Sequence, residues 1–283
     1  MRLATIVRDG HPSVALVRDR GVLPLQMGEE WAASMRGIAA RGAPARESIA
    51  DWAAQQPASA DLPLSEVALG PVVPDPGAIF TIGLNYAAPG DDPRERPERP
   101  LVFGKLPSSV CGDGAVVSWD RGLTDNVDGE SELGVVIGPP AWQVEPDAAM
   151  DHVFGYTCIN DFGSRDPWFD GDQWLLGKSF AGFCPVGPWI VTPDELGDPG
   201  NLRLGATING IPIQDGRTSQ MRYSIGEIIS FLSRHVVLRP GDLIATGTPV
   251  RLDGRIGPER RLQPGDVMTV WVEGIGELTT SIG

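Results

Sequence analysis

The residues best suited to chemistry are two glutamates, Glu130 and Glu132, in the segment Asp128-Gly-Glu-Ser-Glu-Leu-Gly-Val-Val-Ile137. The segment has the character of a β-strand, in which alternate side chains share a face, so both carboxylates are predicted to point the same way. Two like charges side by side favour a bound cation. A third carboxylate, Asp161, and a lysine, Lys178, follow downstream. The set indicates a divalent-metal site with a substrate-facing ammonium group, and therefore an enzyme.

The expected metal is Mg²⁺, because a hard cation takes oxygen ligands and keeps positions open for water or substrate. The sequence offers no His-x-x-x-His pair or cysteine cluster for zinc, and its three histidines, His11, His152 and His235, are scattered. A bare Glu-x-Glu more often marks a solvated strand edge. The third carboxylate and the lysine favour the metal site over that reading.

Lysine itself is scarce in this chain, since only Lys105 and Lys178 are lysine among 23 basic residues. A compact ammonium differs from a planar guanidinium, so each lysine marks a position where that difference could matter. Lys178, near the acidic cluster, is predicted to be functional. For Lys105, function and chance retention are equally good explanations.

Composition limits the classes of function open to the chain. With 283 residues, 41% of them hydrophobic, it can bury a full core in one large domain or in a large and a small one. The net charge of −14 without a basic stripe argues against nucleic acid as a partner. No apolar run approaches the roughly 20 residues of a membrane helix, so no membrane partner is expected. Three unclustered cysteines, Cys111, Cys158 and Cys184, suit reduced thiols in the cytoplasm.

The chain is predicted to contain a small N-terminal α/β unit, residues 1–70, and a larger unit, residues 71–283, after a proline-rich connector. In the first unit, strands are predicted at 3–7 and 13–17, and helices at 29–38 and 45–52. In the second, short β-type runs are predicted at 78–82, 101–103, 115–118, 132–137, 154–159, 202–208, 243–246 and 267–272. The fold class that follows is strand-dominated α+β.

Three local signals add detail to this outline. Asn209-Gly210 between two β-type runs predicts a hairpin with a type I′ turn, because both residues tolerate positive φ. Ser224 and Glu227 form a capping box at the start of a helix. A second helix is predicted at 146–153, with proline in its first turn.

Several short sequence motifs follow one another from about residue 78 to the end of the sequence. The motifs are Ile82-Gly-Leu-Asn-Tyr86, Asp128 to Gly138, Gly155-Tyr-Thr-Cys-Ile-Asn-Asp161 with Arg165-Asp166, 173–187, Asn209-Gly210 with Gln214 and Thr218, and Thr246-Gly-Thr-Pro249. In this order they resemble the fumarylacetoacetate hydrolase family. The resemblance implies a mixed β-sandwich roll, usually a homodimer, that acts on 2-oxo acids and 1,3-dicarbonyl acids.

The resemblance also implies roles for individual residues. The acidic residues matching Glu130, Glu132 and Asp161 would hold Mg²⁺ or Mn²⁺, and Lys178 would steady a substrate carboxylate or enolate. Thr248, with its neighbouring amides, would receive the acid group of the substrate. Further substrate contacts are implied at Gly247, Arg165, Gln214 and Tyr86. For Arg165 and Gln214, a structural hydrogen-bonding role is an equally good alternative.

The sequence departs from the family at one informative place. Many hydrolytic members carry a histidine and an acid after Gly-Leu-Asn-Tyr, a pair that activates water, and the matching positions here are Pro89 and Asp92. Proline cannot act as a base. The charged, proline-rich segment 89–100 is predicted to be a mobile loop that could bring Asp92, Asp91 or Glu95 over the site, although an unrelated solvated loop is the simpler expectation.

Three functions follow, in order of preference. The first is a Mg²⁺-dependent hydrolase that cleaves a C–C bond in a small 2-oxo or 1,3-dicarbonyl acid. The second is a keto-enol tautomerase or decarboxylase of an oxaloacetate-like acid. A general base typically contributes about 10² to 10⁴ to the rate, and these reactions lose less rate without one than hydrolysis does. The third is a metal-binding or ligand-binding protein without catalysis.

Overall fold

Strands dominate the computed structural model, which describes residues 1–19, 21–88, 90–252 and 261–283. They form an eleven-stranded mixed sheet, a five-stranded sheet and a two-stranded one. The strand-dominated α+β class predicted from the sequence is confirmed.

The elements have the following bounds. The strands are β1 Arg2–Arg8, β2 His11–Arg18, β3 Gly21–Pro24, β4 Ala68–Leu69, β5 Ile79–Gly83, β6 Leu101–Lys105, β7 Val110–Cys111, β8 Ala115–Val117, β9 Val127–Asp128, β10 Ser131–Ile137, β11 Val153–Asn160, β12 Gly163–Ser164, β13 Cys184–Val191, β14 Arg203–Ile208, β15 Ile211–Arg217, β16 Leu243–Ala245, β17 Val267–Val272 and β18 Gly276–Ile282. The α-helices are α1 Met35–Arg41, α2 Ala43–Ala54, α3 Pro146–Ala149, α4 Pro167–Asp172, α5 Trp174–Gly177, α6 Pro193–Leu196 and α7 Ile225–Ser233. Short 3₁₀ turns lie at Glu30–Ala33, Ala58–Ala60, Leu64–Glu66, Pro107–Ser109, Met150–His152, Pro199–Asn201 and Thr218–Gln220.

The centre of the large sheet is the antiparallel pair β10 and β11, in which every residue is buried. Ser131 pairs with Asn160 and Glu132 with Ile159. The start of β10 and the end of β11 therefore lie at the same edge of the sheet. The strand order is β3-β2-β1-β13-β11-β10-β16-β5-β6, with β4 beside β1 and β7 beside β13.

The smaller sheet, ordered β15-β14-β17-β18-β8, shares a hydrophobic core with one face of the large sheet and with α7. Leu133 and Val135 of β10, Leu204 of β14, Val270 of β17 and Ile228 of α7 belong to that core. The predicted hairpin at Asn209-Gly210 is confirmed, because both residues have positive φ and join the antiparallel β14 and β15.

The N-terminal segment continues the large sheet. Strand β1 pairs with β13, where Arg2 lies opposite Val191. Leu3, Ile38 and Ile49 share a hydrophobic cluster with Phe154 of β11 and with other residues beyond position 70. The segment 1–70 and the rest of the chain thus contribute to one sheet and one buried layer.

The helix predicted at 45–52 is confirmed as α2, and the helix predicted to start at Ser224 is confirmed as α7. The capping box of α7 is present, with Glu227 Oε2 accepting from the Ser224 amide at 2.8 Å. The helix predicted at 29–38 is instead interrupted at Ser34, whose extended backbone and side chain cap α1. The helix predicted at 146–153 is a short α3 followed by a 3₁₀ turn.

In the described part of the chain, every helix is too short or too polar to cross a membrane.

We expect Leu3→Ala to lower the free energy of unfolding by about 2–5 kcal/mol, because the side chain is fully buried in the layer shared with β13. Urea denaturation followed by tryptophan fluorescence and far-ultraviolet circular dichroism should give one transition with both probes. Val116→Ala, at a side chain that is 72% exposed, is the control and should change little. Two separated transitions would show that the N-terminal segment folds on its own.

Candidate active site

The three predicted metal ligands meet at the edge of the large sheet where β10 begins and β11 ends. Glu130 precedes β10, Glu132 lies within it, and Asp161 directly follows β11. The Asp161 amide donates to the Glu130 carbonyl oxygen at 2.9 Å, which fixes the two segments together. One carboxylate oxygen from each residue lies within 4.8 Å of the others.

Two lysines and an arginine form ion pairs with two of these carboxylates, Glu130 and Asp161. Lys178 Nζ donates to Glu130 Oε2 at 2.8 Å and to Asp161 Oδ2 at 2.7 Å. Arg165 Nη2 lies 2.7 Å from Glu130 Oε1. Lys105 Nζ, whose side chain is fully buried, lies 2.6 Å from Asp161 Oδ1. Lys105, left undecided by the sequence, is thus part of the cluster, and lysine scarcity was the only signal for it.

A second ion pair extends the cluster on one side. Arg251 Nη1 donates to Asp128 Oδ1 at 2.5 Å, and both side chains are more than nine-tenths buried. Arg165 Nη2 lies 3.9 Å from Asp128 Oδ2, so this arginine stands between Asp128 and Glu130. Sequence reasoning missed the pairing of Asp128 with Arg251, because the two residues are 123 positions apart.

The electrostatics of the three carboxylates differ. Burial raises the pKa of Glu132 well above its usual value, and Asp161 and Glu130 raise it further. Burial also opposes ionisation of Glu130, but Arg165 and Lys178 outweigh it and lower the pKa of that carboxyl. Burial and Arg251 act oppositely on Asp128, whose pKa is raised.

The donor set fits a hard divalent cation. It consists of carboxylate oxygens, the ligands that Mg²⁺ and Mn²⁺ prefer. Glu132 accepts from the Gly247 amide through Oε2 at 2.7 Å and makes no ion pair with a described residue. A cation beside Glu132 would stabilise its buried charge, which is the physical case for a metal at this position.

The segment Thr246-Gly-Thr-Pro249 is tied to the ligand strand. Besides the Gly247 amide bond, Thr248 Oγ1 donates to the Ser131 carbonyl oxygen at 2.7 Å. Gln214 accepts from the Ser131 amide at 2.9 Å, and its Nε2 donates to Thr248 Oγ1 and to the Pro249 carbonyl oxygen, each at 2.7 Å. In this arrangement Gln214, Gly247 and the Thr248 hydroxyl all make structural bonds, and Thr248 also lines both adjoining cavities.

Two cavities adjoin the cluster, and Leu84, Glu130 and Thr248 line both of them. Glu132 lines only the first, and Asp161 lines neither. The first, of about 330 Å³, has Lys178 and Arg165 at its polar end. Its apolar wall is formed by Ile82, Leu84, Leu101, Phe103, Phe169 and Trp174. The second, of about 660 Å³, has a mixed lining that includes Tyr86, Gln214, Asp215, Arg251 and Leu252. Burial raises the pKa of Tyr86 well above its usual value, so this phenol stays neutral.

Asp92, predicted as a catalytic candidate, does not line either cavity. Its carboxylate forms a two-pronged pair with Arg94, whose hydrogen bonds lower the pKa of Asp92 to about 2. A carboxylate so engaged is a poor base, and the structure does not bring it into the site. Pro89, the other residue of that prediction, lies outside the described residues.

The segment that carries Asp92 is anchored at a point further along. Arg96 lies over the Tyr223 ring at 4.4 Å and donates to Glu227 Oε1 at 2.8 Å. It also donates to the Arg222 carbonyl oxygen at 2.6 Å. The histidines His152 and His235 line neither cavity and contact backbone carbonyl oxygens instead.

We expect Glu130→Ala to weaken Mn²⁺ binding by more than the 10- to 100-fold that loss of an outer-shell partner typically costs, because it removes a ligand and leaves Arg165 and Lys178 facing the ion. Electron paramagnetic resonance of free Mn²⁺ measures the dissociation constant. Glu277→Ala, at an exposed glutamate, is the control. An unchanged dissociation constant for Glu130→Ala would remove Glu130 from the ligand set.

We expect Gly247→Ala to destabilise the fold by about 1–3 kcal/mol and to weaken Mn²⁺ binding. The residue has φ +99°, and an added Cβ would lie 2.8 Å from Asn85 Cβ, so the amide that orients Glu132 must move. Gly265→Ala is a matched control, since φ is +90° there but the space around it is open. It should lose stability and keep its Mn²⁺ affinity; equal affinity in both variants would contradict the orienting role.

Comparison with known proteins agrees with this architecture. Residues 78–283 match the family profile described as fumarylacetoacetate (FAA) hydrolase, C-terminal. An uncharacterized protein of Staphylococcus aureus strain USA300 is 42% identical over 214 residues, which cover 76% of this chain and 71% of that protein.

Two solved structures cover the whole of this chain. Fumarylacetoacetate hydrolase from the psychrophilic Exiguobacterium antarcticum superposes with a TM-score of 0.85 at 30% identity, over 99% of its length. Maleylpyruvate hydrolase from Sphingobium sp. SYK-6, in complex with manganese(II) and pyruvate, superposes with a TM-score of 0.81 at 28% identity, over 98% of its length. The predicted mixed β-sandwich roll is confirmed, and the chain belongs to the fumarylacetoacetate hydrolase family.

Proposed function

We propose that this protein is a divalent-metal-dependent hydrolase that cleaves a C–C bond in a small 2-oxo or 1,3-dicarbonyl acid. The observation that carries the proposal is the convergence of Glu130, Glu132 and Asp161 within 4.8 Å of one another, with Glu130 and Glu132 lining a cavity. Membership of a family that contains such hydrolases supports it.

The metal would be Mg²⁺ or Mn²⁺, held by Glu130, Glu132 and Asp161. When bound, it would polarise the carbonyl group of the 2-oxo acid and stabilise negative charge as it develops there. Manganese in the maleylpyruvate hydrolase structure supports this type of ion.

The protein's own residues would bind and orient the substrate. Lys178 reaches the first cavity from between Glu130 and Asp161, and those carboxylates raise its pKa above that of a free lysine although burial opposes this. It would therefore stay an ammonium and stabilise enolate charge. Backbone amides at Thr248, which lines both cavities, would receive the acid group, since the Thr248 hydroxyl already donates its proton to Ser131. Arg165 would hold Glu130 in place.

In hydrolysis, water adds to the acyl carbonyl carbon of an acylpyruvate and loses a proton. The bond from that carbon to the CH₂ group breaks, and its electron pair forms the enolate of pyruvate. A proton returned to the enolate carbon gives pyruvate beside a carboxylic acid. Water needs a general base in the first step.

The absence of an evident base favours a second candidate, a keto-enol tautomerase or decarboxylase of an oxaloacetate-like acid. No histidine lines either cavity within the described residues, and Asp92 is held by Arg94. Both alternative reactions pass through an enolate that the same residues would stabilise. The family includes isomerases as well as hydrolases.

A homodimer and a cytoplasmic location, expected from the sequence, remain predictions.

Purified protein with Mg²⁺ or Mn²⁺ should cleave acetylpyruvate to acetate and pyruvate, and excess chelator should stop the reaction. Ultraviolet absorbance of the enol and ¹H NMR of the products measure this. Oxaloacetate is tested in parallel. Loss of enol absorbance or release of CO₂ from oxaloacetate, with acetylpyruvate untouched, would replace hydrolysis by the second candidate. No turnover of either compound would contradict both reactions.

We expect Lys178→Met to separate metal binding from turnover. Removing a positive charge that lies between two of the ligands should tighten Mn²⁺ binding by about tenfold. Turnover should fall by at least about 100-fold, because the enolate loses its ammonium. Asp92→Asn, outside both cavities, should retain turnover and metal affinity. Full activity of Lys178→Met would exclude the proposed role of Lys178.

A further inference from the structure

The apolar wall of the first cavity has no role in the proposed chemistry. Part of it faces water, because the side chain of Leu84 is 78% exposed and that of Leu101 is 38% exposed. Large apolar side chains that face water together beside a polar rim are typical of a ligand-binding groove. The wall therefore needs an apolar ligand group to cover it.

This wall begins beside the proposed reacting centre. Lys178 Nζ lies 5.4 Å from the centroid of the Phe103 ring. The Phe103 ring in turn meets the Trp174 ring edge to face, with 5.0 Å between the two centroids. A group attached to the reacting carbons of a substrate at Lys178 would therefore meet Phe103 first and Trp174 next.

Leu84 holds its exposed position at a cost in backbone conformation. Its φ is +55°, a region that disfavours residues with a Cβ and suits glycine or asparagine better. The next residue fixes this conformation, because Asn85 Nδ2 donates to the Thr246 carbonyl oxygen at 2.7 Å and Asn85 Oδ1 accepts from the Tyr223 amide at 2.9 Å. Strain of this kind clusters at ligand sites, where the strained residue has a role in binding.

The charges of the first cavity disfavour an anionic tail along the wall. Lys178 and Arg165, the cations that line it in the described part of the chain, already form ion pairs with Glu130. Asp170 also lines the cavity, and it forms no ion pair with any residue that the structure describes. A carboxylate placed there would lose water, gain no free cation and meet a like charge. A neutral apolar group incurs none of these losses.

We infer that the first cavity favours substrates with a neutral, apolar acyl group, above all an aromatic one, and that Leu84 and Trp174 determine this preference. The inference rests on the proposed function, since it places the 2-oxo acid end of the ligand at the carboxylates. A planar ring buries much apolar area with few rotatable bonds and gains edge-to-face contacts with aromatic side chains. The cavity, of about 330 Å³, lies at the small end of the range of roughly 300–1,000 Å³ for small-molecule sites.

The corresponding reaction takes benzoylpyruvate and water to benzoate and pyruvate. Acetylpyruvate carries a methyl group where benzoylpyruvate carries a ring. It would remain a substrate and would have the lower kcat/KM of the two, because its methyl group leaves most of the wall uncovered.

The test uses three 2-oxo acids that lack the second carbonyl group and so cannot be cleaved by this reaction. They are 2-oxo-4-phenylbutanoate, 2-oxopentanoate and 2-oxoadipate, which carry a phenyl, a methyl and a carboxymethyl group on the same carbon. Isothermal titration calorimetry with Mg²⁺ present measures their dissociation constants. From the apolar area of the ring, 2-oxo-4-phenylbutanoate should bind at least about tenfold more tightly than either of the others.

Two variants locate the ring in the wild-type protein. Leu84→Gly, which also relieves the strained φ, should weaken binding of 2-oxo-4-phenylbutanoate at least about threefold and leave 2-oxopentanoate within about twofold. Trp174→Ala should do the same. Leu123→Ala is the matched control, because Leu123 is 60% exposed and lines neither cavity. Leu252→Ala, at the 58% exposed leucine of the second cavity, should leave every constant within about twofold.

Folding of each variant is checked by its thermal transition with Mg²⁺ present. Leu84→Gly decides the test alone if Trp174→Ala does not fold, because Leu84 is mostly exposed and its removal leaves no cavity in the core.

Three results would overturn the inference. The first is equal binding of the phenyl and methyl compounds by the wild-type protein. The second is binding of 2-oxoadipate as tight as that of 2-oxo-4-phenylbutanoate. The third is a phenyl preference that survives in Leu84→Gly and is lost in Leu252→Ala, which would place the ring in the second cavity.

The inference and the proposed function can fail separately. Cleavage of acetylpyruvate without a phenyl preference in binding would keep the reaction and reject the apolar subsite. A phenyl preference that is lost in Leu84→Gly, with neither benzoylpyruvate nor acetylpyruvate cleaved, would keep the subsite and reject the reaction.

Discussion

The site depends on the need to compensate buried carboxylates. An ionised carboxylate removed from water without a partner costs several kcal/mol, so each acid at the edge of β10 and β11 needs a cation. Those cations arrive from separate parts of the chain: Lys105 ends β6, Arg165 follows β12, and Lys178 follows α5. The loops and short helices between the strands position these positive charges beside the carboxylates.

This requirement also explains which parts of the site could be predicted. Glu130 and Glu132 are two residues apart beside a strand, so local geometry is enough to bring them together. Asp161 follows the neighbouring strand, and the family resemblance supplied its role. The pairing of Asp128 with Arg251 joins segments 123 residues apart, and no local pattern encodes it.

The fold was predictable to a similar extent and for similar reasons. Many of the strands were recognised, but β18 was missed, and so was β13, in which Pro185, Gly187 and Pro188 interrupt the pattern. It is nevertheless a buried strand at the centre of the large sheet, between β1 and β11. A change of composition near residue 70 predicts two units, and this division stays a prediction; strand β1 of the first segment pairs with β13 of the second. Pairing between strands so far apart in the sequence depends on tertiary contacts, which the β-propensities of single residues do not reveal.

The two bonds that join the Thr246-Gly-Thr-Pro249 segment to β10 have a thermodynamic consequence. The Gly247 amide donates to the Glu132 carboxylate and the Thr248 hydroxyl donates to the Ser131 carbonyl oxygen, so consecutive residues fasten the proposed acid-binding segment to the strand of a proposed metal ligand. Ordering either element for its own ligand orders the other as well. Affinity for the ion and affinity for the acid should therefore be linked, each raising the other by the same factor. Under the proposed function, the free metal concentration in a cell would then set how much 2-oxo acid the protein binds.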